Sequence, residues 1–382
     1  MLSGDWFSSQ AVIAPSLHVS PGAFPDPGAQ ADAEPGVIGG GWFGYLSYDL
    51  ADPSGRTGAL PGSAWGWADH VLRWSASGTC YLESLDGGGP TVAEMESLLA
   101  AAPPSSSWTA GPLRRPLPSE HRDAVKACVH AIEAGELFQA NICARFTGTF
   151  SGSSAALFAA GVSALSPRRA AYLSGSWGSV VSFSPELFLE RHGRAVRSTP
   201  IKGTLPRRGP ADDGNALLLR QSAKDVAENV MITDLVRNDL GRVCEVGSVT
   251  VPSLLRVRPA PGVWHLDSTV IGVLRPSVSD VSLLSATFPP GSVTGAPKIR
   301  ALDLIASLEP CGRGVYTGAI GLVSPVAGLE LNVAIRTFEI SGDSIALGVG
   351  GGITADSDPE AEWQECLHKA APLERLLAGV EQ

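Results

Sequence analysis

The stretch Val180 to Thr204, VVSFSPELFLERHGRAVRSTPIKGT, carries two apolar runs on either side of a tight turn. Val180–Leu189 and Ala195–Ile201 read as strands, and Arg191-His192-Gly193-Arg194 between them reads as the turn of a hairpin. The same stretch ends on Pro200-Ile201-Lys202-Gly203-Thr204, where a lysine stands alone beside a glycine. The chain has five lysines (Lys126, Lys202, Lys224, Lys298, Lys369) against 23 arginines. A lysine can give up its proton near neutral pH and attack carbon as a neutral amine, which an arginine cannot do. A surface lysine in a turn would carry the same five residues.

Working outward, Val125, Cys128, Val129 and Ile132 recur at helical spacing after Ser119, and Gly135 ends that helix. Phe138–Phe150 alternates as a strand with Gln139, Asn141 and Cys143 on one face. Residues 211–240 read as one long amphipathic helix, 328–340 and 344–349 as strands, and 358–378 as a helix opened by Asp358-Pro359. Before them, 1–105 holds short apolar runs broken by Gly and Pro, with a hairpin from Trp74 to Leu85 around Gly78. The Pro- and Ser-rich stretch from Pro103 to Pro118 reads as a linker. The expected organisation is an N-terminal β-rich subdomain over 1–105, a linker over 106–118 and a catalytic domain over 119–382. Strands alternate irregularly with helices, which places the chain in the α+β class.

At 382 residues, 44% hydrophobic and 17% charged, the chain is large enough for a substantial core and has the composition of a globular enzyme. No apolar run reaches the ~20 residues that span a bilayer, and MLSGDWFSSQ lacks the pattern of a secretory leader. The six cysteines are scattered without a CxxC pair and read as reduced thiols, so the expectation is a cytoplasmic protein. A net charge of −10 without a basic cluster speaks against nucleic acid.

Asp225 and Glu228 are three apart on one helix, and Glu362 and Glu365 repeat that spacing on another. Four carboxylates on two helices are either solvated faces or the walls of a cation site, and hard oxygen ligands suit Mg²⁺. Glu186, sixteen residues before Lys202, sits between Phe183 and Phe188, an apolar setting that raises a carboxyl pKa. Gly203, Thr204 and Gly350-Gly351-Gly352 offer backbone N–H groups that an anion can approach closely. Arg336 suits bidentate recognition of a carboxylate.

A series of blocks falls in order along the chain. They are Ser184-Pro185-Glu186, the Lys202 segment, AKDVAEN (223–229), MITDLVRNDLGR (231–242), PGSVTGAPK (290–298), YTGAIG (316–321), Ile335-Arg336-Thr337, GGGI (350–353) and EAEWQECLHK (360–369). Together they resemble the chorismate-utilising enzymes, and most of all their aminodeoxychorismate synthase component I branch. The resemblance is strong from about Glu120 onward and weaker before it. It implies two β-sheets packed as a sandwich with helices outside.

The resemblance also implies roles. Lys202 would be the nucleophile toward C2 of chorismate, and Glu186 the acid that protonates the departing 4-hydroxyl. Glu228 and Glu365 would ligate Mg²⁺, with Asp225 and Glu362 behind them or reaching it through water. Thr294, Tyr316 and Lys369 match substrate contacts, and His265 a histidine near the ring substituents; a hydrogen-bonded core histidine is the equal alternative. Relatives that add water have a lysine base where Gln139 stands, whereas ammonia users have glutamine. Anthranilate synthases have alanine where Lys202 stands. The implied reaction joins chorismate and ammonia into 4-amino-4-deoxychorismate, feeding p-aminobenzoate for folate or a specialised metabolite. No glutaminase elbow is recognisable in these residues, so ammonia is expected from a separate glutamine amidotransferase. The rivals are anthranilate synthase component I and a non-catalytic subunit on the same fold.

Overall fold

The computed structural model describes residues 1–26, 36–101, 107–207 and 209–379. Its strands form two antiparallel sheets of eleven and ten strands. In the first, Gln139–Gly152 runs between Gly295–Ala296 and Ser344–Ile353 and is followed by Thr337–Ser341, Gly178–Ser184 and Arg169–Gly175. The second begins at Ile201–Pro206 and continues through Val263–Val273, Ala195–Thr199, Leu187–His192, Gly328–Val333 and Ala319–Ser324. N-terminal strands extend both sheets: Leu2–Trp6 joins Arg169–Gly175, and Gly41–Leu46 joins Ala319–Ser324.

Alternation of side chains explains the sandwich. Leu2, Trp6, Leu173 and Val180 from the first sheet meet Phe43, Tyr45, Ile320 and Leu322 from the second in one buried cluster. Helices cover the outer faces. Pro359–Leu377 and Ser154–Leu165 pack Trp363, Leu373, Leu157 and Phe158 onto the first sheet. Ala223–Gly241 packs Ile232, Val236 and Leu240 onto the second. Both sheets are thereby covered on two sides, giving the α+β class and sandwich architecture the sequence implied.

Four elements depart from the sequence reading. Val180–Leu189 is not one strand: it splits into Gly178–Ser184 in the first sheet and Leu187–His192 in the second, broken at Pro185-Glu186. Residues 328–340 split likewise into Gly328–Val333 and Thr337–Ser341, with Arg336 at φ +51° in the crossing. Apolar alternation is blind to which sheet a strand joins, so each crossing read as continuity. The 211–240 helix divides into Asn215–Gln221 and Ala223–Gly241, because Ser222 is extended and its hydroxyl accepts the Asp225 N–H as an N-cap. The helix expected from Ser119 begins at Pro118, which occupies the first turn after Leu117.

The hairpins at Gly78 and Gly193 are present, with φ of +85° and +57°. Residues 102–106, which include the start of the Pro- and Ser-rich stretch at Pro103, lie outside the described residues; Trp108–Ala110 beyond them pairs with Gln139–Gly152. Among the described residues no helix is long and apolar enough to cross a membrane.

Candidate active site

Both crossings between the sheets carry candidate residues. Glu186 sits in the first, 3% exposed, with Oε1 accepting the Ile201 N–H at 3.4 Å. Burial pushes its carboxyl pKa up to about 7, against the opposing pull of the Ser292 hydroxyl, the Ile201 N–H and Lys202. A cavity of about 20 Å³, room for roughly one water, lies beside it among Phe188, Pro200, Asp239 and Ser292. Arg336, half-buried in the second crossing, has no carboxylate partner among the described residues, and burial lowers its pKa.

Lys202 lies on the edge strand Ile201–Pro206, 8% exposed. The pairing with Val263–Val273 shifts register between Ile201 and Thr204, and Gly203 there takes φ +92°. Such a bulge re-aims the side chain beside it. Lys202 thereby points across to the first sheet, with Nζ 3.6 Å from Glu228 Oε2. Gln139, on the facing strand, brings Nε2 within 3.5 Å of the same oxygen, while its buried Oε1 has no partner among the described residues.

Gly352 makes this gathering possible. A methyl group there would lie 2.5 Å from Gln139 Nε2, 2.8 Å from Lys202 Nζ and 2.9 Å from Glu228 Oε2. Gly351 opens onto the next pair of groups: a methyl would lie 3.1 Å from Glu362 Oε2 and 3.7 Å from Glu365 Oε1. The Gly350 carbonyl accepts Lys369 Nζ at 2.8 Å. The glycine run is thus a floor bared so that side chains of two helices and the opposite sheet reach one place.

The carboxylates are held by lysines. Glu362 accepts Lys224 Nζ at 2.8 Å and the Ser357 hydroxyl at 2.6 Å on Oε1, leaving buried Oε2 without a partner among the described residues. Glu365 pairs with Lys369 at 2.7 Å, which lowers its pKa. Burial raises the pKa of Glu228; Lys202 and Lys224 oppose the rise, while Asp225 and Glu362 add to it. Asp225 itself lies beside Gly203, where a methyl would stand 3.0 Å from its Oδ1. Acceptor-only oxygens, an orphaned Oε2 and like-charge crowding fit a hard divalent cation. Among the described residues these four carboxylates do not bring three ligand atoms within 4.8 Å of one another. An ion here would take further oxygens from substrate and water, as Mg²⁺ does.

The remaining candidates divide. His265 is buried with Nδ1 3.0 Å from Thr204 Oγ1 and Nε2 unpartnered among the described residues. Burial first, then Arg336, Arg258 and Arg168, pull its pKa down to about 3, so the ring is neutral. Tyr316 is buried with its ring against Gly348 and its hydroxyl 3.9 Å from Cys143 Sγ. Thr294 is fully buried, and its hydroxyl donates to the Pro290 carbonyl at 2.9 Å. Three partners went unremarked in the sequence: Ser292 on Glu186, and Lys224 and Ser357 on Glu362. Ser292 and Lys224 reach their carboxylates from elements distant in sequence, so no local spacing marks them, and Ser357, five residues before Glu362, folds back from the turn that leads into the helix.

Comparison with known proteins agrees with this arrangement. The model of the chorismate binding enzyme family matches residues 18–375. The chain is 42% identical over 253 residues to aminodeoxychorismate synthase component 1 of Escherichia coli (strain K12), covering 66% of this chain and 55% of that one. It is 36% identical over 365 residues to anthranilate synthase component 1 of Streptomyces coelicolor, covering 87% and 71%. The structure of anthranilate synthase component I from Streptococcus pneumoniae TIGR4 superposes with a TM-score of 0.80 at 26% identity, over 91% of this chain and 83% of that one. With the family model spanning nearly the whole chain, and the sandwich, the glycine floor and the facing carboxylates in place, this chain belongs to the chorismate binding enzyme family.

Proposed function

We propose that the chain aminates chorismate at C4, giving 4-amino-4-deoxychorismate. The observation that carries this reading is the convergence of Lys202, Gln139 and Glu228 over Gly352, with Glu186 held at a pKa near 7 in the adjoining crossing. Lys202 attacks C2 of the ring as the 4-hydroxyl leaves, and Glu186 gives the proton with which it departs as water. Ammonia then adds at C4 and expels the lysine amine from C2. Glu228 Oε2, 3.6 Å from Nζ, is placed to hold the amine toward the ring, and the secondary ammonium formed on attack leaves again as the neutral amine.

Gln139 fits an ammonia user. Its unpartnered Oε1 accepts from an N–H and is too weak a base to activate water. Arg336, with no carboxylate partner among the described residues, is suited to a substrate carboxylate, and the neutral His265 beside it offers an uncharged ring nitrogen. Mg²⁺ would be held by Glu228 and Glu365 with Asp225 and Glu362 in support, and when bound supplies positive charge against the substrate's carboxylates. Ammonia is supplied by a separate glutamine amidotransferase; the name component 1 on the Escherichia coli relative accords with such a pairing.

The second reading is anthranilate formation, favoured by the likeness to proteins of that name. Lys202 at the bulge is the observation against it, because elimination of pyruvate has no need of an amine there. Mass spectrometry of products from chorismate, Mg²⁺ and ammonium, without a lyase, decides between them. The expected product has NH₂ in place of OH and releases no pyruvate. Anthranilate with pyruvate would establish the second reading, and chorismate returned intact with and without the amidotransferase would support a non-catalytic subunit.

A further inference from the structure

We propose that Glu190, His192 and Glu330 form a binding site for a divalent transition ion of the Zn²⁺ class, distinct from the candidate active site. Glu190 and Glu330 are direct cross-strand partners on Leu187–His192 and Gly328–Val333. His192 follows two residues after Glu190, on the same face of its strand. Like charges placed directly opposite in an antiparallel pair repel unless something positive lies between them.

His192 Nε2 lies 3.6 Å from Glu190 Oε1 and 3.8 Å from Glu330 Oε1, and the three ligand atoms are all within 4.8 Å of one another. These separations exceed the ~3.2 Å limit of an N–H···O bond. They approach the roughly 3.3–3.5 Å between ligand atoms of a tetrahedral ion bound at 2.0–2.2 Å. The other carboxylate oxygens are already engaged: Glu190 Oε2 with Arg197, and Glu330 Oε2 with Arg169 at 2.7 Å. Each carboxylate is thus oriented from behind with its Oε1 turned toward the imidazole, as supporting groups orient metal ligands.

Surroundings complete the argument. Glu330 is 2% exposed, and the buried Phe7 meets the His192 ring edge-on at 5.9 Å. Phe7 and Ser8 form the tight turn of the N-terminal hairpin, both at positive φ, so this turn packs over the cluster. The His192 side chain is 48% exposed, which leaves an open side for a water ligand. One imidazole with two carboxylates selects Zn²⁺, Co²⁺ or Ni²⁺ over the all-oxygen Mg²⁺. Six residues of strand separate Glu186 from His192, about 20 Å at the usual rise, so the ion is a clamp between strands and takes no part in the chemistry.

The test uses the full chain, stripped with chelator and titrated with Co²⁺ in buffer with excess Mg²⁺, which keeps the carboxylate site of the candidate active site occupied. Visible d–d absorption saturating at one Co²⁺ per chain and displaced by Zn²⁺ is expected, with the affinity at least about tenfold weaker in H192A and in E190Q. Zn²⁺ should raise Tm of the wild type and leave H192A unmoved. Absence of the absorption, or the same affinity in H192A, as binding at the exposed thiols of Cys80 and Cys311 would give, overturns the proposal. His192 is half exposed, so H192A is expected to fold, and circular dichroism checks it.

Discussion

Lys202 Nζ and Glu228 Oε2 stand 3.6 Å apart, one projecting from the edge of the second sheet and the other from a helix, over a glycine of the first. Three separate elements therefore meet at one amine. Neither residue is close to the other in sequence, and the bulge at Gly203 is what turns the lysine inward.

If Lys202 forms the covalent adduct, K202A loses it and at least about a thousandfold in rate with ammonium as the nitrogen source. Intact-protein mass spectrometry after mixing with chorismate reads the adduct directly. An adduct persisting in K202A removes this lysine from the mechanism.

Glu186 makes stability depend on pH. Its folded pKa, about 7, lies above its ordinary value of 4.5, so the folded protein binds the proton more tightly than the unfolded chain does. That contribution is fully present below pH 4.5 and is lost as pH rises through 7. Relative to E186Q, the wild type should lose up to about 3 kcal/mol across this window and change little above it. Denaturant titrations of both proteins at several pH values measure the difference. Parallel curves would place the Glu186 carboxyl in water.

Gly352→Ala puts a methyl group within 2.9 Å of Lys202, Gln139 and Glu228 at once. Activity should fall at least about a hundredfold, because a displacement of about 1 Å at reacting groups costs that much. Gly241→Ala, at a helix end with nothing within 4 Å, is the control and should keep full activity. Comparable activity in the two variants would show that the floor tolerates a side chain.

Glu362→Gln leaves Lys224 without its carboxylate and removes a charge near Glu228. The Mg²⁺ concentration for half-maximal rate should rise at least about tenfold. An unchanged metal titration would reject Glu362 as part of the cation site.

Much of the site was legible because its carboxylates come in i, i+3 pairs and its glycines in a run. The pairs Asp225/Glu228 and Glu362/Glu365 identify helix faces directly. What each carboxylate touches was not legible: Lys224 and Glu362 are 138 residues apart, and only the packing of one helix against another joins them. The fold shows the same division. Period-2 patterns located Gln139–Gly152 and the hairpin at Gly193, yet the breaks at Glu186 and Arg336 passed unseen. A strand changing sheets keeps its apolar alternation, and positive φ at an arginine has no sequence mark.

Those two breaks are also bonded to each other. The Glu186 carbonyl accepts the Val333 N–H at 3.1 Å, and the Arg336 carbonyl accepts the Phe183 N–H at 3.0 Å. The two crossing segments consequently run side by side, Phe183 with Arg336 at the end of one ladder of the first sheet and Val333 with Glu186 at the end of one ladder of the second, at the place where the acid and the Arg336 guanidinium stand. Parting the two crossing segments requires both ladder ends to break, so the amide protons of Phe183 and Val333 should be among the slowest to exchange, escaping only when the whole molecule unfolds.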